Sequence, residues 1–216
     1  MSESLIIVGA GGFGRETLDV VEAVNRAGEH PAFTVVGVLD DAPAQLALDR
    51  LASRGIAFLG DIEAWLSGGE PGQYIIAIGN PRARAQVAER FREAGRDAAT
   101  VIHPAATVGS GGSIAPGAVV CAGAQISTNV VLGRHVHVNP NATIGHDAVL
   151  ADFVSINPGA IISGEVSVGE QTLVGAGAVV LQGLALGPGC TVGASACVTH
   201  DVGENKTVKG VPAREI

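Results

Sequence analysis

Charge and aromatic rings are scarce in this chain. Only 16% of its 216 residues are Asp, Glu, Lys or Arg, and only 3% are aromatic. So few large or charged side chains point to a regular, tightly stacked core filled by small aliphatic residues. The formal charge of −8 leaves no basic surplus to neutralise phosphates, which excludes a nucleic-acid partner while leaving room for local basic groups to hold one anionic ligand. Cysteine is rare too. Cys121, Cys190 and Cys197 are odd in number and lack a CxxC spacing, so they form no disulfide framework and read as reduced small packers of a cytoplasmic protein. Long apolar runs are missing: nothing approaches the roughly 18 residues of a membrane span. The one apolar run near the start, Leu5 to Val8, is too short and lacks the basic flank of a signal peptide. The expectation is a cytoplasmic chain with no membrane or nucleic-acid partner.

What is present divides the chain in two. Over residues 1–98, short apolar strands alternate with helical patterns. Leu5 to Val8 runs into Gly9-Ala10-Gly11-Gly12-Phe13-Gly14, then a helix from about Arg15 to Arg26 with Leu18, Val21 and Val24 on one face. A second strand, Val35 to Leu39, ends at Asp40-Asp41. A third, Tyr74 to Ile78, ends at Gly79-Asn80-Pro81, and a helix from about Arg82 to Ala94 packs through Val87 and Phe91. Alternating βα units of this kind imply a Rossmann-like α/β half-sheet, parallel and covered by helices. Gly9, Gly11 and Gly14 satisfy GxGxxG between a strand and a helix, a turn whose backbone N–H groups and helix N-terminus can meet phosphate. Taken alone, that suggests a dinucleotide with Asp40 or Asp41 on a ribose. About 98 residues with three strong strands make only half of a full doubly wound sheet, so a mononucleotide or nucleotide-sugar fits better.

Over residues 99–216 the grammar changes. In steps of six from Ile102 to Val198, all seventeen positions are Ile, Leu or Val. Four residues after most of these comes a small or β-branched residue, such as Ala106, Ala118, Ala142 or Ala178, and Gly often follows the aliphatic residue directly. A period of six is the signature of a parallel β-helix. Three hexads make a triangular coil of 18 residues, stacked about 4.8 Å above the last. Flat outer faces would let three such chains pack side by side.

The grid says which residues can meet. His146 falls two after the inward Ile144, so it sits at a corner and can reach solvent, with Asp147 beside it. A carboxylate next to an imidazole can fix its tautomer and favour the imidazolium that forms on proton uptake. Residues 18 apart stack, so Thr128 lies below His146 and Gly164, Gln182 and His200 lie above. Gly164 is one coil away, and its bare backbone N–H could approach a ligand oxygen with no side chain in the way. His200 is three coils up, about 14 Å away, and receives no role. His137 and His146, half a coil apart, cannot share one metal within a chain, and no zinc site is expected.

Forms such as Ile156-Asn157-Pro158-Gly159-Ala160 and Val174-Gly175-Ala176-Gly177-Ala178, with the ending Gly210-Val211-Pro212-Ala213-Arg214, resemble the hexapeptide-repeat acyltransferases with left-handed β-helices. GAGGFGRE after the first strand, VLDD after the second, IAIGN after the third and IHPAA at the entry to the repeat narrow this to the sugar O/N-acyltransferase family. Its members include sialic acid O-acetyltransferases and UDP-amino-sugar N-acetyltransferases. The resemblance spans essentially the whole chain. It implies the left hand of the solenoid, a homotrimer, acetyl-CoA as acyl donor and a nucleotide-sugar or sugar acceptor. The family's catalytic base maps to His146, the following acid to Asp147, and a nearby Asn to Asn139. The acyl-CoA positions map to Ser155, Gly164, Ala176 and Ala194. The acceptor positions are Gly9, Gly11, Gly12, Phe13, Gly14, Asp40, Asp41, Gly79 and Asn80. Two residues depart from the family pattern: Ser155 stands where members often carry a second His, and Phe13 where the loop often has one. The expected activity is N-acetylation of a nucleotide-linked amino sugar. The alternatives are O-acetylation of a sialic acid or related sugar, and a non-catalytic trimeric scaffold, with an NAD-dependent enzyme a distant fourth.

Overall fold

The computed structural model describes residues 2–68 and 71–216. Its N-terminal part is a three-stranded parallel sheet in the order β2-β1-β3, from β1 (Glu3–Val8), β2 (Phe33–Leu39) and β3 (Gln73–Ile76). Strand β1 is central and alternates sides: Leu5 and Ile7 pack beneath Leu18 and Val21 of α1 (Gly12–Ala27). Ile6 and Val8 pack with Trp65 of α3 (Ile62–Gly68) and Phe91 of α4 (Pro81–Glu93). A fourth helix, α2 (Gln45–Ala52), buries Ala47 and Leu51. Two expected boundaries differ. Helix α1 begins inside the glycine loop, at Gly12, because Gly14 has no Cβ to strike the Gly9 carbonyl oxygen as the first turn folds back on the strand end. The strand expected to reach Ile78 stops at Ile76, where the chain leaves the sheet toward Pro81.

From residue 101 the chain winds into a parallel β-solenoid. Seventeen two-residue strands, Val101–Ile102 to Cys197–Val198, each end on one of the seventeen aliphatic positions. They stack into three flat faces with 18-residue registers, as in His137↔Ser155, Thr143↔Ile161 and Val149↔Ser167. Face one carries His137–Val138 and Ser155–Ile156, face two Thr143–Ile144 and Ile161–Ile162, face three Val149–Leu150 and Ser167–Val168. The second residue of each pair points inward, so Val138, Ile144, Leu150, Ile156 and Ile162 share one buried core with corner residues such as Ala142, Ala148 and Ala160. Burying a Val, Leu or Ile side chain contributes about 1.5–3 kcal/mol, repeated hexad after hexad. Thr207–Lys209 and the antiparallel Arg214–Glu215 extend face one. Cys121, Cys190 and Cys197 are free; the first two are buried, and burial pushes the Cys121 thiol up to about 12. No helix among the described residues is long and apolar enough to cross a membrane.

The N-terminal sheet docks on face one. Val119 and Cys121 join the core beneath α1, and Phe153 joins the cluster of Trp65, Tyr74 and Phe91. His137 is buried beneath the third strand, its Nε2–H donating to the Ile76 carbonyl (3.0 Å), and its ring lies 4.7 Å from that of Phe13. His135 and Phe153, one coil apart at the same left-handed corner (φ 54° and 61°), stack at 5.3 Å. Burial, reinforced by Arg84, holds both histidines neutral, His135 at about 4 and His137 well below the ordinary value of 6.5. The consequence for stability follows from linkage. The unfolded chain takes up these protons first as pH drops below about 6.5, so the contribution is complete above that pH. Each site then loses about 1.4 kcal/mol per pH unit until its folded pKa is reached. Calorimetric melting at pH 7.5 and pH 5 is expected to show a lower Tm at pH 5, and an unchanged Tm would contradict neutral burial of these rings.

Candidate active site

His146 stands at the corner between faces two and three, more than half exposed. Its Nδ1 lies 2.7 Å from Asp147 Oδ2, and Asp147 Oδ1 accepts a 2.9 Å hydrogen bond from Asn129 Nδ2, one coil below. Asn129, Asp147 and Glu165 form a column with φ near +60°. In that conformation the side chain of each corner residue turns along the solenoid axis, which is how Asn129 reaches Asp147. The Asn129 hydrogen bond, with that from His146, holds the Asp147 carboxyl below the usual carboxylate range. An ionised Asp147 can only accept, so Nδ1 carries the proton and Nε2 presents its lone pair.

Nε2 faces Gly164. A Cβ on Gly164 would lie 2.5 Å from Nε2 and 2.7 Å from Cε1 of His146, so only glycine fits under the ring. A Cβ on Gly145 would fall 2.4 Å from the Gly164 nitrogen and cover it. The Gly164 N–H meets no hydrogen-bond acceptor among the described residues. Outward amides recur at this corner in neighbouring coils; what distinguishes Gly164 is the imidazole beside it. The pair offers a base and a free N–H donor within one contact distance.

The other positions expected around His146 lie elsewhere. Asn139 is at the corner between faces one and two, buried, with Nδ2 donating to the Ile156 carbonyl at 2.9 Å. Within one chain it braces the next coil and does not reach His146. The side-chain amide that does hold the pair is that of Asn129, which the sequence reading passed over although it lies 18 residues before Asp147. Ala176 and Ala194 are exposed on the Asn139 corner, one coil apart. Ser155 is buried on face one under the N-terminal domain, where its hydroxyl donates to the Gly79 carbonyl at 3.1 Å. The acyl-CoA position expected at Ser155 therefore lies, within one chain, under the docked N-terminal sheet. His200 is exposed, with Nδ1 against the Thr199 hydroxyl. No group of three or more His, Cys, Asp or Glu among the described residues could hold a metal ion.

The glycine loop has its own logic. Gly14 must lack a Cβ, which would sit 1.9 Å from the Gly9 carbonyl oxygen. Gly11 caps α1 with no side-chain hydrogen bond, and Gly11 and Gly12 are exposed, so the first amides of a 16-residue helix are open to an anion. Asp40 holds this loop: Oδ2 accepts from Ala10 N at 2.8 Å and Oδ1 from Ala42 N at 2.9 Å. Asp41 is drawn away to α3 and α4, accepting from Ile62 N at 2.9 Å and pairing with Arg90 at 2.6 Å. Asn80 caps α4 through Ala83 N at 3.0 Å. The loop and Gly79 follow the carboxyl ends of β1 and β3, the usual ligand position in an open α/β sheet, and the Phe13 ring lies against that of His137.

Comparison with known proteins agrees with both halves. Residues 4–91 match the family model described as PglD N-terminal domain. GDP-perosamine N-acetyltransferase of Escherichia coli O157:H7 is 32% identical over 142 residues, 65% of this chain; the match spans 61% of that protein's length. Among solved structures, the acetyltransferase domain of PglB from Neisseria gonorrhoeae FA1090 is 30% identical with a TM-score of 0.85, covering 100% of both chains. PerB from Caulobacter crescentus, in complex with CoA and GDP-perosamine, is 29% identical with a TM-score of 0.83, covering 99% of this chain and 97% of that one.

Proposed function

This chain belongs to the sugar acetyltransferase family that joins a PglD-type N-terminal domain to a left-handed parallel β-helix, and from that premise we propose that it acetylates the amine of a nucleotide-linked amino sugar, with acetyl-CoA as donor and His146 as general base. The observation that carries the reading is the Asp147-oriented imidazole with its free Nε2 lone pair beside the bare Gly164 amide. Similarity to GDP-perosamine N-acetyltransferases favours a nucleotide amino sugar over a free sugar and nitrogen over oxygen as the acceptor atom.

The chemistry follows from these groups. The sugar nitrogen attacks the thioester carbonyl, a C–N bond forms, and negative charge gathers on the carbonyl oxygen, which the Gly164 N–H meets. His146 Nε2 takes the proton that the nitrogen sheds, while Asp147 supports the imidazolium. The C–S bond then breaks and the CoA sulfur leaves with a proton returned from the ring. Asn139, Ala176 and Ala194 share the corner between faces one and two, where Ala176 and Ala194 are exposed to a donor.

A single chain leaves the site divided. The glycine loop sits on face one, and His146 sits at the opposite corner of the triangle. Around that corner lie exposed apolar residues: Val131 and Val149 on face three, Ile161 on face two and Leu181 at the corner itself. Exposed apolar side chains grouped in this way mark a contact surface. A homotrimer of flat-sided solenoids would cover them and bring the His146 corner of one chain to the glycine loop of the next.

Purified protein is to be mixed with acetyl-CoA and a panel of UDP-, GDP- and dTDP-linked amino sugars, with thiol release measured. Release with at least one of them, none with free sialic acid, and a light-scattering mass of three times 21.6 kDa are expected. Release only with hydroxyl acceptors would move the reading to O-acetylation. No release, together with no heat on titrating acetyl-CoA, would leave a scaffold.

A further inference from the structure

Arg84 is the largest of the fully buried side chains. It projects from the first turn of α4, just after the Gly79–Asn80 turn. Nη1 donates to the Ile78 carbonyl at 2.6 Å and the Gly79 carbonyl at 3.3 Å. Nε donates to the His135 carbonyl at 3.0 Å, and Nη2 to the Phe153 carbonyl and the Ser155 hydroxyl, both at 2.8 Å. Every partner is a neutral oxygen, and no carboxylate pairs with it among the described residues. Burial lowers the guanidinium to about 9, which leaves it charged at neutral pH. A buried charge satisfied only by dipoles is costly, and neutral side chains could have joined the two domains without that cost.

The location gives the charge a use. Two carbonyls that Arg84 grips, of Ile78 and Gly79, belong to the turn that follows Ala77 and packs against the glycine loop; a Cβ on Gly9 would touch Ala77 O at 2.7 Å and Ile78 Cγ1 at 3.2 Å. Asp40 and Arg15 both bond the loop backbone and oppose each other in sign. Arg84 is then the unbalanced charge behind that turn. We propose that Arg84 is a positioning residue for the acceptor, locking the Gly79–Asn80 turn onto the solenoid and supplying the buried positive charge that a sugar-nucleotide diphosphate compensates. Ser155, bonded to both Arg84 and Gly79, is the second member of this clamp. The proposal rests on the nucleotide-sugar reading above.

The test uses calorimetry with UDP, GDP and dTDP, each against its nucleoside, and steady-state kinetics in both substrates, for the wild type and for Arg84→Lys, Arg84→Met and Ser155→Ala. Arg84→Met is expected to weaken diphosphate binding at least about tenfold and to shrink the preference for diphosphate over nucleoside, as removal of an unbalanced charge should. Arg84→Lys keeps the charge and loses the fork, so it should keep that preference while raising the acceptor KM. Ser155→Ala should raise the acceptor KM and leave the acetyl-CoA KM unchanged. A folded Arg84→Met with an unaltered preference overturns the proposal, as does a Ser155→Ala whose acetyl-CoA KM rises instead. If Arg84→Met does not fold, the lysine and alanine variants decide: an unchanged acceptor KM in both overturns it. A wild type that binds none of the three diphosphates overturns the nucleotide-sugar reading itself, which separates the two failures.

Discussion

His146→Ala is expected to lower kcat/KM by at least about 10², the lower bound of what a placed general base contributes. The loss should appear in kcat, with KM for donor and acceptor near their wild-type values, because the imidazole acts on a proton that moves only as the C–N bond forms. Stability should not change: the side chain is more than half exposed and bonds only Asp147. Asp147→Asn separates the base from its orientation. Asparagine can turn its NH₂ toward Nδ1 and force the proton onto Nε2, so it should retain the fold and lose most of the rate. Thiol release followed under saturating acetyl-CoA checks both variants. A His146→Ala enzyme at near wild-type rate would refute the assignment.

The repeat was fully legible because a β-helix writes its core into the sequence with a fixed period. All seventeen aliphatic positions are strand residues, and the 18-residue column that placed Gly164 beside His146 holds to the atom level. The same column, applied to Asp147, leads to Asn129. What the period does not carry is which face becomes covered. Ser155 and His137 precede inward residues, so on hexad phase alone they point outward. They are buried because the N-terminal sheet lands on face one, a tertiary event with no local signal. Arg84 sits in an ordinary amphipathic helix, and nothing in its neighbourhood marks it as buried. Asp40 and Asp41 follow a strand where a ribose ligand would be expected, yet one braces the glycine loop and the other caps α3 and pairs with Arg90. Residue type and position were readable there; the partners were not.

Gly164→Ala should cost nearly as much as losing the base, about 10² in kcat, by way of a single methyl group. The backbone at Gly164 is not in the left-handed region, so alanine fits the main chain and the solenoid should melt as before. The clash falls on the far end of the His146 side chain, with the new Cβ 2.5 Å from Nε2. The ring must swing outward, which breaks its 2.7 Å contact with Asp147 and moves the lone pair away from the Gly164 amide. A double-mutant cycle isolates that route. In the His146→Ala background no ring is present to displace, so adding Gly164→Ala should change the residual rate by less than about threefold. Full additivity of the two losses would mean that Gly164 acts independently of His146, through a blocked donor site. A rate loss in Gly164→Ala that comes with a lower Tm would mean that the methyl group strains the coil itself and leaves the base in place.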